Sequence, residues 1–235
     1  VGLGVGIWNV VSWTSPMPTL YRLYGNGETL NKELPEVATP LTTYGDITLE
    51  TVPTGSATIT IASGKLTLEP SESEVTLTTP ISGGSLACKG TTTYTIAAAN
   101  RCVVTTLEIE AETVVKATAQ NALQTTTITG EGTLIGVGHL VSGTVSDDWT
   151  GVVRFEDVAS YTYLNLSNYG NAQSKIELKN LGTANGNVYL VNSTYEVTAD
   201  LKLEGANYIN NGFYTNSYTF SGDLTGDGSL TWGTY

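Results

Sequence analysis

The stretch Thr129-Gly130-Glu131-Gly132-Thr133-Leu134 recurs in closely similar form as Thr225-Gly226-Asp227-Gly228-Ser229-Leu230. In each copy two glycines flank an acidic residue and a strand-forming segment follows, so each copy predicts a tight turn that leads into a β-strand. A strand-turn unit that recurs is typical of repeat proteins built from stacked coils. Neither copy carries a catalytic signature, and the motif therefore indicates a solenoid before it indicates an enzyme.

Apolar and polar residues alternate with a period of two from about residue 45 onward, which is the pattern of strands with one buried face. A shift of register by one residue would turn every side chain to the other face, so the alternation predicts burial position by position. We expect Thr58, Thr60, Glu108 and Glu177 to be exposed. The residues expected to be buried are Ile59, Ile61, Leu66, Leu68, Leu107, Ile109, Ile176, Leu178, Leu201 and Leu203.

Gly- and Asn-rich turns separate these short segments, whereas tight two-residue Asn-Gly hairpin turns are scarce. The sequence therefore predicts an all-β fold that is a parallel β-helix, with an antiparallel β-sandwich as the alternative. Prolines and weaker alternation mark residues 1–45, which we interpret as an N-terminal cap or connecting segment. Residues 46–235 would then form the repeat-built β-helix domain.

The chain has 235 residues and a net charge of -12, which disfavours binding to nucleic acid or to anionic membranes. No run of about 18 apolar residues is present, so we expect no membrane insertion of this segment. The opening Val1-Gly2-Leu3 lacks an initiator Met and a basic region, which suggests a segment of a larger parent chain with flanking domains. Cys88 and Cys102 are expected either to pair as a disulfide or to be two separately buried thiols.

Residues 218–231, Tyr-Thr-Phe-Ser-Gly-Asp-Leu-Thr-Gly-Asp-Gly-Ser-Leu-Thr, resemble the autotransporter-associated β-strand repeat. A second, looser match runs through residues 128–134 and on to residues 148–153. The resemblance implies a right-handed β-helix displayed outside a bacterial cell, in a secreted or surface-anchored protein that serves as stalk, adhesin or passenger scaffold. That family has no single catalytic motif, so the resemblance assigns no catalytic residue.

Asp147 and Asp148 are the candidate catalytic residues of an alternative function, because paired carboxylates can act as general acid and base in glycoside chemistry. This alternative is a glycan-active hydrolase or lyase on a β-helix scaffold; the other interpretation of the pair is a solvated turn before Trp149. The run from Asp223 to Gly228 starts like a calcium loop, but a plain β-turn explains it better. One histidine, His139, and two cysteines cannot form a zinc site, and we expect no metal and no cofactor.

Tyrosines in polar surroundings are the remaining candidate binding residues. If stacked on neighbouring coils, they would form an aromatic strip beside Asn side chains, a surface suited to glycans or host surface proteins. The alternative is that tyrosine simply suits a half-buried pleated sheet. We therefore expect a non-catalytic structural or adhesive module, with binding through Tyr161, Tyr163, Tyr189, Tyr195 and Tyr214.

Overall fold

The computed structural model is described over residues 2–3, 19–97, 101–158, 162–182, 188–190, 194–210 and 217–233. These residues form twenty-four short strands and one turn of 3-10 helix at Leu166–Asn168. The strands are β1 (Gly2–Leu3), β2 (Arg22–Tyr24), β3 (Glu28–Leu30), β4 (Leu41–Tyr44), β5 (Ile47–Leu49), β6 (Ile59–Leu68), β7 (Glu74–Leu77), β8 (Ile81–Cys88), β9 (Thr93–Ile96), β10 (Cys102–Ile109), β11 (Val114–Ala117), β12 (Leu123–Gly130), β13 (Thr133–Val137), β14 (Ser142–Val145), β15 (Val152–Glu156), β16 (Thr162–Leu164), β17 (Lys175–Lys179), β18 (Val188–Leu190), β19 (Thr194–Val197), β20 (Asp200–Glu204), β21 (Ala206–Asn210), β22 (Ser217–Phe220), β23 (Leu224–Gly226) and β24 (Ser229–Gly233).

The strands stack into four sheets that wind around one core. The first sheet runs β1-β2-β4-β6-β8-β10-β12-β14, with β5 joining it at β6 and β3 pairing with β5. The second sheet runs β7-β9-β11-β13-β15-β17-β20-β23, the third β16-β18-β21-β24, and the fourth contains β19 and β22. All strand pairings between described residues are parallel. The chain is therefore a parallel β-solenoid of about 9 turns, as expected, and not an antiparallel sandwich.

The length of a coil changes along the solenoid. Leu77 lies beside Ile96, 19 residues further along the chain. Towards the other end Leu178 lies beside Leu203, 25 residues further along. The first sheet ends at β14, and the third and fourth sheets accompany the second from there on. The longer coils thus coincide with a change in the cross-section of the solenoid.

The predicted core is confirmed, because all ten residues expected from the alternation are buried. Thr60 is exposed as expected, whereas Thr58, Glu108 and Glu177 are only half-exposed. The two glutamates are partly covered because basic side chains of other coils lie against them. Lys65 Nζ lies 2.9 Å from Glu108 Oε2, across a separation of 43 residues in the chain.

Both copies of the Gly motif form the predicted turn into a strand, β13 in the first copy and β24 in the second. Their first glycines, Gly130 and Gly226, have φ of 105° and 102°, in the region that side chains rarely adopt. A Cβ would lie 2.2 Å from Ile109 O at Gly130 and 2.0 Å from Leu203 O at Gly226. The coil beneath therefore requires glycine at both positions. The two turns lie at different corners, because one joins the first sheet to the second and the other joins the second to the third.

A column of residues with positive φ follows the second sheet on four successive coils. Gly138, Asp157, Asn180 and Gly205 have φ of 71°, 53°, 53° and 64°. The pairing of the second-sheet strands that precede them places these four residues at equivalent positions on successive coils. Each of the first three donates its backbone N–H to a carbonyl oxygen of the next coil, for example Asp157 N to Lys179 O at 2.9 Å. Asn and Asp tolerate this conformation better than other non-glycine residues. The column places a residue of left-handed conformation at the end of the second-sheet strand on each of these coils.

Two sequence-based expectations need correction. Strands β2 and β4 precede residue 46 and already belong to the first sheet, so the solenoid begins before the expected boundary. The Cys88–Cys102 disulfide is not formed, since both cysteines are free and buried. The ladder explains this: Cys102 pairs with Ile81 and Cys88 pairs with Ile109, so the cysteines occupy opposite ends of the shared ladder of β8 and β10. Burial of two separate thiols, the alternative interpretation, describes them.

Candidate functional site

Two of the expected binding tyrosines lie side by side on the third sheet. Tyr163 of β16 and Tyr189 of β18 are register partners, with ring centroids 5.7 Å apart and ring planes inclined by 36°. Tyr163 is 53 % exposed, whereas Tyr189 is only 8 % exposed. Asn210 of β21 is the next residue in the same register. The pair thus consists of one half-exposed aromatic ring in contact with a second, buried ring.

The other three expected binding tyrosines are not placed on this surface. Tyr195 belongs to β19, where its backbone pairs with Tyr218 of β22, and its side chain lies outside the described residues. Tyr161 and Tyr214 also lie outside the described residues. The described part of the candidate site is therefore the pair Tyr163 and Tyr189.

Asp147 and Asp148 lie in an exposed turn between β14 and β15. Ser146 Oγ donates a hydrogen bond to Asp148 Oδ1. The following residue, Trp149, is fully buried, so it anchors the turn in the core. Asn171 of the next coil donates from Nδ2 to the carbonyl oxygens of Asp147 at 3.2 Å and Trp149 at 2.8 Å. These contacts match a solvated structural turn, and no described basic group pairs with either carboxylate.

A network of ion pairs covers the outer face of the second sheet over three coils. Arg154 of β15 contacts three carboxylates: Glu156 Oε1 at 2.6 Å, Glu177 Oε2 at 2.9 Å and Glu204 Oε2 at 2.9 Å. Lys202 lies 2.6 Å from Glu204 and 3.6 Å from Glu177. The side chain of Arg154 is only 18 % exposed, so the carboxylates enclose it.

The signs in this network alternate along each ladder. Arg154, Glu177 and Lys202 are successive register partners, so Glu177 lies between two charges of the opposite sign. A hydrogen bond from Lys202 lowers the pKa of the Glu204 carboxyl. The same bond raises the pKa of the Lys202 ammonium. Because its charges are mutually satisfied, the network is a structural feature rather than a site that awaits a ligand.

The candidate metal ligands do not converge. Among the described residues no group of three His, Cys, Asp or Glu side chains is positioned to hold a metal ion. The segment that starts like a calcium loop forms β23 and the turn into β24, with Asp223 and Asp227 both exposed. His139 borders a cavity of about 120 Å³ together with Asn121 and no acidic residue.

A second aromatic pair was not expected from the sequence. Tyr24 of β2 and Tyr44 of β4 are register partners whose rings stack at 4.8 Å with an angle of 9°. The Arg22 guanidinium donates to the Tyr24 hydroxyl at 3.4 Å. The two tyrosines are 20 residues apart in the chain, and only the length of the first coils reveals that they are neighbours. Both are half-buried.

Two larger clefts lie beside strands β7 and β8. One of about 370 Å³ lies between residues 51–54 and β7, and it is bordered by Glu33 and Glu72. Another of about 370 Å³ lies beside the start of β8 and is bordered by Arg101 and Val103. Neither contains Asp147, Asp148 or the tyrosine pair on the third sheet.

Comparison of the chain with protein-family models, with curated proteins and with solved structures finds no match. Within the described ranges, no helix has the length and apolar character needed to span a membrane.

Proposed function

We propose that this solenoid is a non-catalytic structural or adhesive module that binds glycans through the third sheet, with Tyr163 as the contact residue. The observation that carries the proposal is the ring pair of Tyr163 and Tyr189, in which the buried ring holds the 53 % exposed ring in place. Exposed aromatic rings stack on sugar rings, and a ring that packs against its neighbour loses little conformational entropy on binding. A host surface protein is the second class of ligand that such a surface suits.

The location of the protein is part of the same proposal. We infer a secreted or cell-surface bacterial protein from the resemblance of residues 218–231 to the autotransporter-associated repeat. The parallel solenoid is the fold which that resemblance implies. Antibody labelling of intact and permeabilised source cells tests this part, since labelling that requires permeabilisation would contradict it.

A glycan array tests the binding proposal with two matched variants. Tyr163→Ala removes the proposed contact, and Tyr21→Ala removes another tyrosine that is also 53 % exposed. We expect Tyr163→Ala to weaken binding of the best glycan by about tenfold or more, since stacking of an aromatic ring contributes on the order of 1 kcal/mol beyond buried area. Tyr21→Ala should bind like the wild type. Equal loss in both variants, or no binding by the wild type, would refute the proposed site.

The alternative of a glycan-active enzyme is tested with the same glycans. Release of reducing ends by the wild type, and its loss in the double variant Asp147→Asn with Asp148→Asn, would establish that alternative. The exposed turn that holds both carboxylates gives no support to it, because neither side chain faces a described cleft.

A further inference from the structure

The second sheet has an open edge at its first strand, β7 (Glu74–Leu77). Strand β7 pairs with β9 on one side, and the sheet ends there. The first sheet continues for further coils beyond this level. Residues 50–58, which follow β5 in the coil beneath β7, form no strand. They include Pro53, which lacks the N–H that a ladder partner must donate.

The backbone groups of Glu74 and Thr76 point to this open edge. The N–H of Thr93 in β9 donates to Ser73 O at 2.8 Å, so the carbonyl of Ser73 faces β9. Backbone direction alternates along a parallel strand, and Val75 therefore also faces β9, whereas Glu74 and Thr76 face away. No hydrogen bond joins the backbone of these two residues to another described backbone group on that side.

The loop of residues 50–58 is hydrogen-bonded beyond the end of β7 rather than along the strand. Thr79 Oγ1 donates to Pro53 O at 3.0 Å and lies 3.3 Å from Gly55 O. These bonds fix the loop beyond the end of the strand. Between the loop and β7 lies the cleft of about 370 Å³, a size in the range of ligand clefts. The loop thus leaves a slot along β7.

The lining of this slot has a defined chemistry. Val52 and Val75 form its apolar part and pack against the core. Glu33 and Glu72 lie at its border, where Glu72 supplies a carboxylate, and Thr76 supplies a hydroxyl. Edge strands with unpaired backbone groups are the places where proteins accept an added strand. An extended backbone is the ligand that matches alternating N–H and C=O groups.

We propose that the edge of β7 binds an extended peptide segment of a partner protein, which adds as a strand and carries a basic side chain beside Glu72. An apolar side chain of the peptide would lie over Val52 and Val75, with its neighbours pointing outward. This site is on a different sheet from the proposed glycan site and does not depend on it.

Calorimetric titration with two synthetic peptides tests the proposal. The probe is the capped hexapeptide acetyl-Lys-Val-Lys-Val-Lys-Val-amide, and its control is the same peptide with glutamate in place of lysine. We expect saturable binding of the lysine peptide with Kd on the order of 1 mM or tighter, and binding of the glutamate peptide about tenfold weaker or absent. Equal binding of the two peptides, or none of the lysine peptide, would overturn the proposal.

Three variants locate the binding on β7. Thr76→Pro removes one N–H from the open edge and leaves the ladder with β9 intact, because Pro is tolerated where the N–H is unpaired. Glu72→Lys reverses a border charge, and Glu131→Lys reverses an exposed charge at a distant turn as the control. We expect the first two to weaken the lysine peptide by about fivefold or more, and the control to leave it unchanged.

Sedimentation of the protein alone completes the test. If the wild type forms a dimer that Thr76→Pro dissociates, the edge binds a second copy of this chain, which overturns the peptide proposal. Circular dichroism of Thr76→Pro shows whether the variant is folded. If it is not folded, the affinities of Glu72→Lys and Glu131→Lys for the lysine peptide are compared instead. Peptide binding that survives Glu72→Lys without loss would then refute the assignment.

Discussion

Replacement of Trp149 by alanine should destabilise the solenoid strongly. Its side chain is 0 % exposed and fills the core beneath the turn that holds Asp147 and Asp148. A buried aromatic side chain removes about 150–250 Å² from water, which at about 25 cal/mol per Å² is an upper bound of about 4–6 kcal/mol. Truncation of buried aromatic residues costs about 3–5 kcal/mol. We expect a loss in this range in the free energy of unfolding.

A second variant separates packing from polarity at the same position. The indole Nε1 of Trp149 is buried and finds no hydrogen-bond partner among the described residues. An unpaired buried donor costs about 1–3 kcal/mol, so Trp149→Phe loses packing but also removes this penalty. We therefore expect Trp149→Phe to lose less than half of the free energy that Trp149→Ala loses.

Urea unfolding at pH 7, followed by far-ultraviolet circular dichroism, measures both variants, with midpoint and slope compared. The double variant Asp147→Asn with Asp148→Asn is the control in the same turn, and it should stay within about 0.5 kcal/mol of the wild type because both side chains are exposed. An unfolding midpoint of Trp149→Ala equal to that of the wild type would refute the reasoning, since the side chain could not then be part of the core.

Three further predictions concern titration, reactivity and backbone conformation. A lowered carboxyl pKa stabilises the fold above the ordinary Glu pKa, and this stabilisation is lost as pH falls through the lowered value. The melting temperature of the wild type should therefore exceed that of Lys202→Met at pH 7, and the gap should close once acid below the ordinary Glu range protonates Glu204 in the folded protein; a gap unchanged in acid would contradict this. Burial raises the pKa of the Cys102 thiol to about 12, so both buried thiols should react with Ellman's reagent at pH 8 only after urea unfolding, and fast labelling of the native protein would be inconsistent with their burial. Gly130→Ala should lower the free energy of unfolding by more than Gly27→Ala, because Gly27 also has positive φ but no atom within 4 Å of its Cβ position; equal losses would show that conformation alone matters.

The period-two alternation was sufficient to predict the core, because burial in a strand depends on local spacing. Every one of the ten core residues named from it is buried. The all-β solenoid also followed from the sequence, since Gly turns and the scarcity of hairpin signals are local features. The turn before Trp149 could also be placed. The alternation of the strand that follows turns Trp149 toward the core and leaves the polar residues before it in the turn.

Contacts between coils could not be predicted, because the coil length varies between 19 and 25 residues in the ladders of the second sheet. Without a constant repeat, the sequence does not show that Lys65 reaches Glu108 or that Tyr24 stacks on Tyr44. The half-burial of Glu108 depends on such a contact. The variable coil length also prevented a prediction of whether the cysteines meet. Their separation of fourteen positions is shorter than any of these coils.

The start of the solenoid could not be located from the sequence for a related reason. Proline-rich sequence before residue 46 breaks the alternation, yet β2 and β4 still join the first sheet, since two or three paired residues per coil suffice there. From the sequence, the candidate binding surface could be predicted only as a set of tyrosines in polar surroundings, without knowing which of them are in contact. The pairing of Tyr163 with Tyr189 depended on the length of the coil between them.

The direction of the strand ladders has a mechanical consequence. The inner strands of each sheet bond to the coils before and after them, so the inter-coil hydrogen bonds lie along the solenoid axis. Tension applied to the two ends along that axis therefore loads the coil interfaces in series, and the weakest opens while the others stay closed. A coil of 19 to 25 residues that is pulled straight adds about 60–90 Å of contour length. A tether built this way would lengthen in discrete steps and absorb a sudden pull before its attachment points fail.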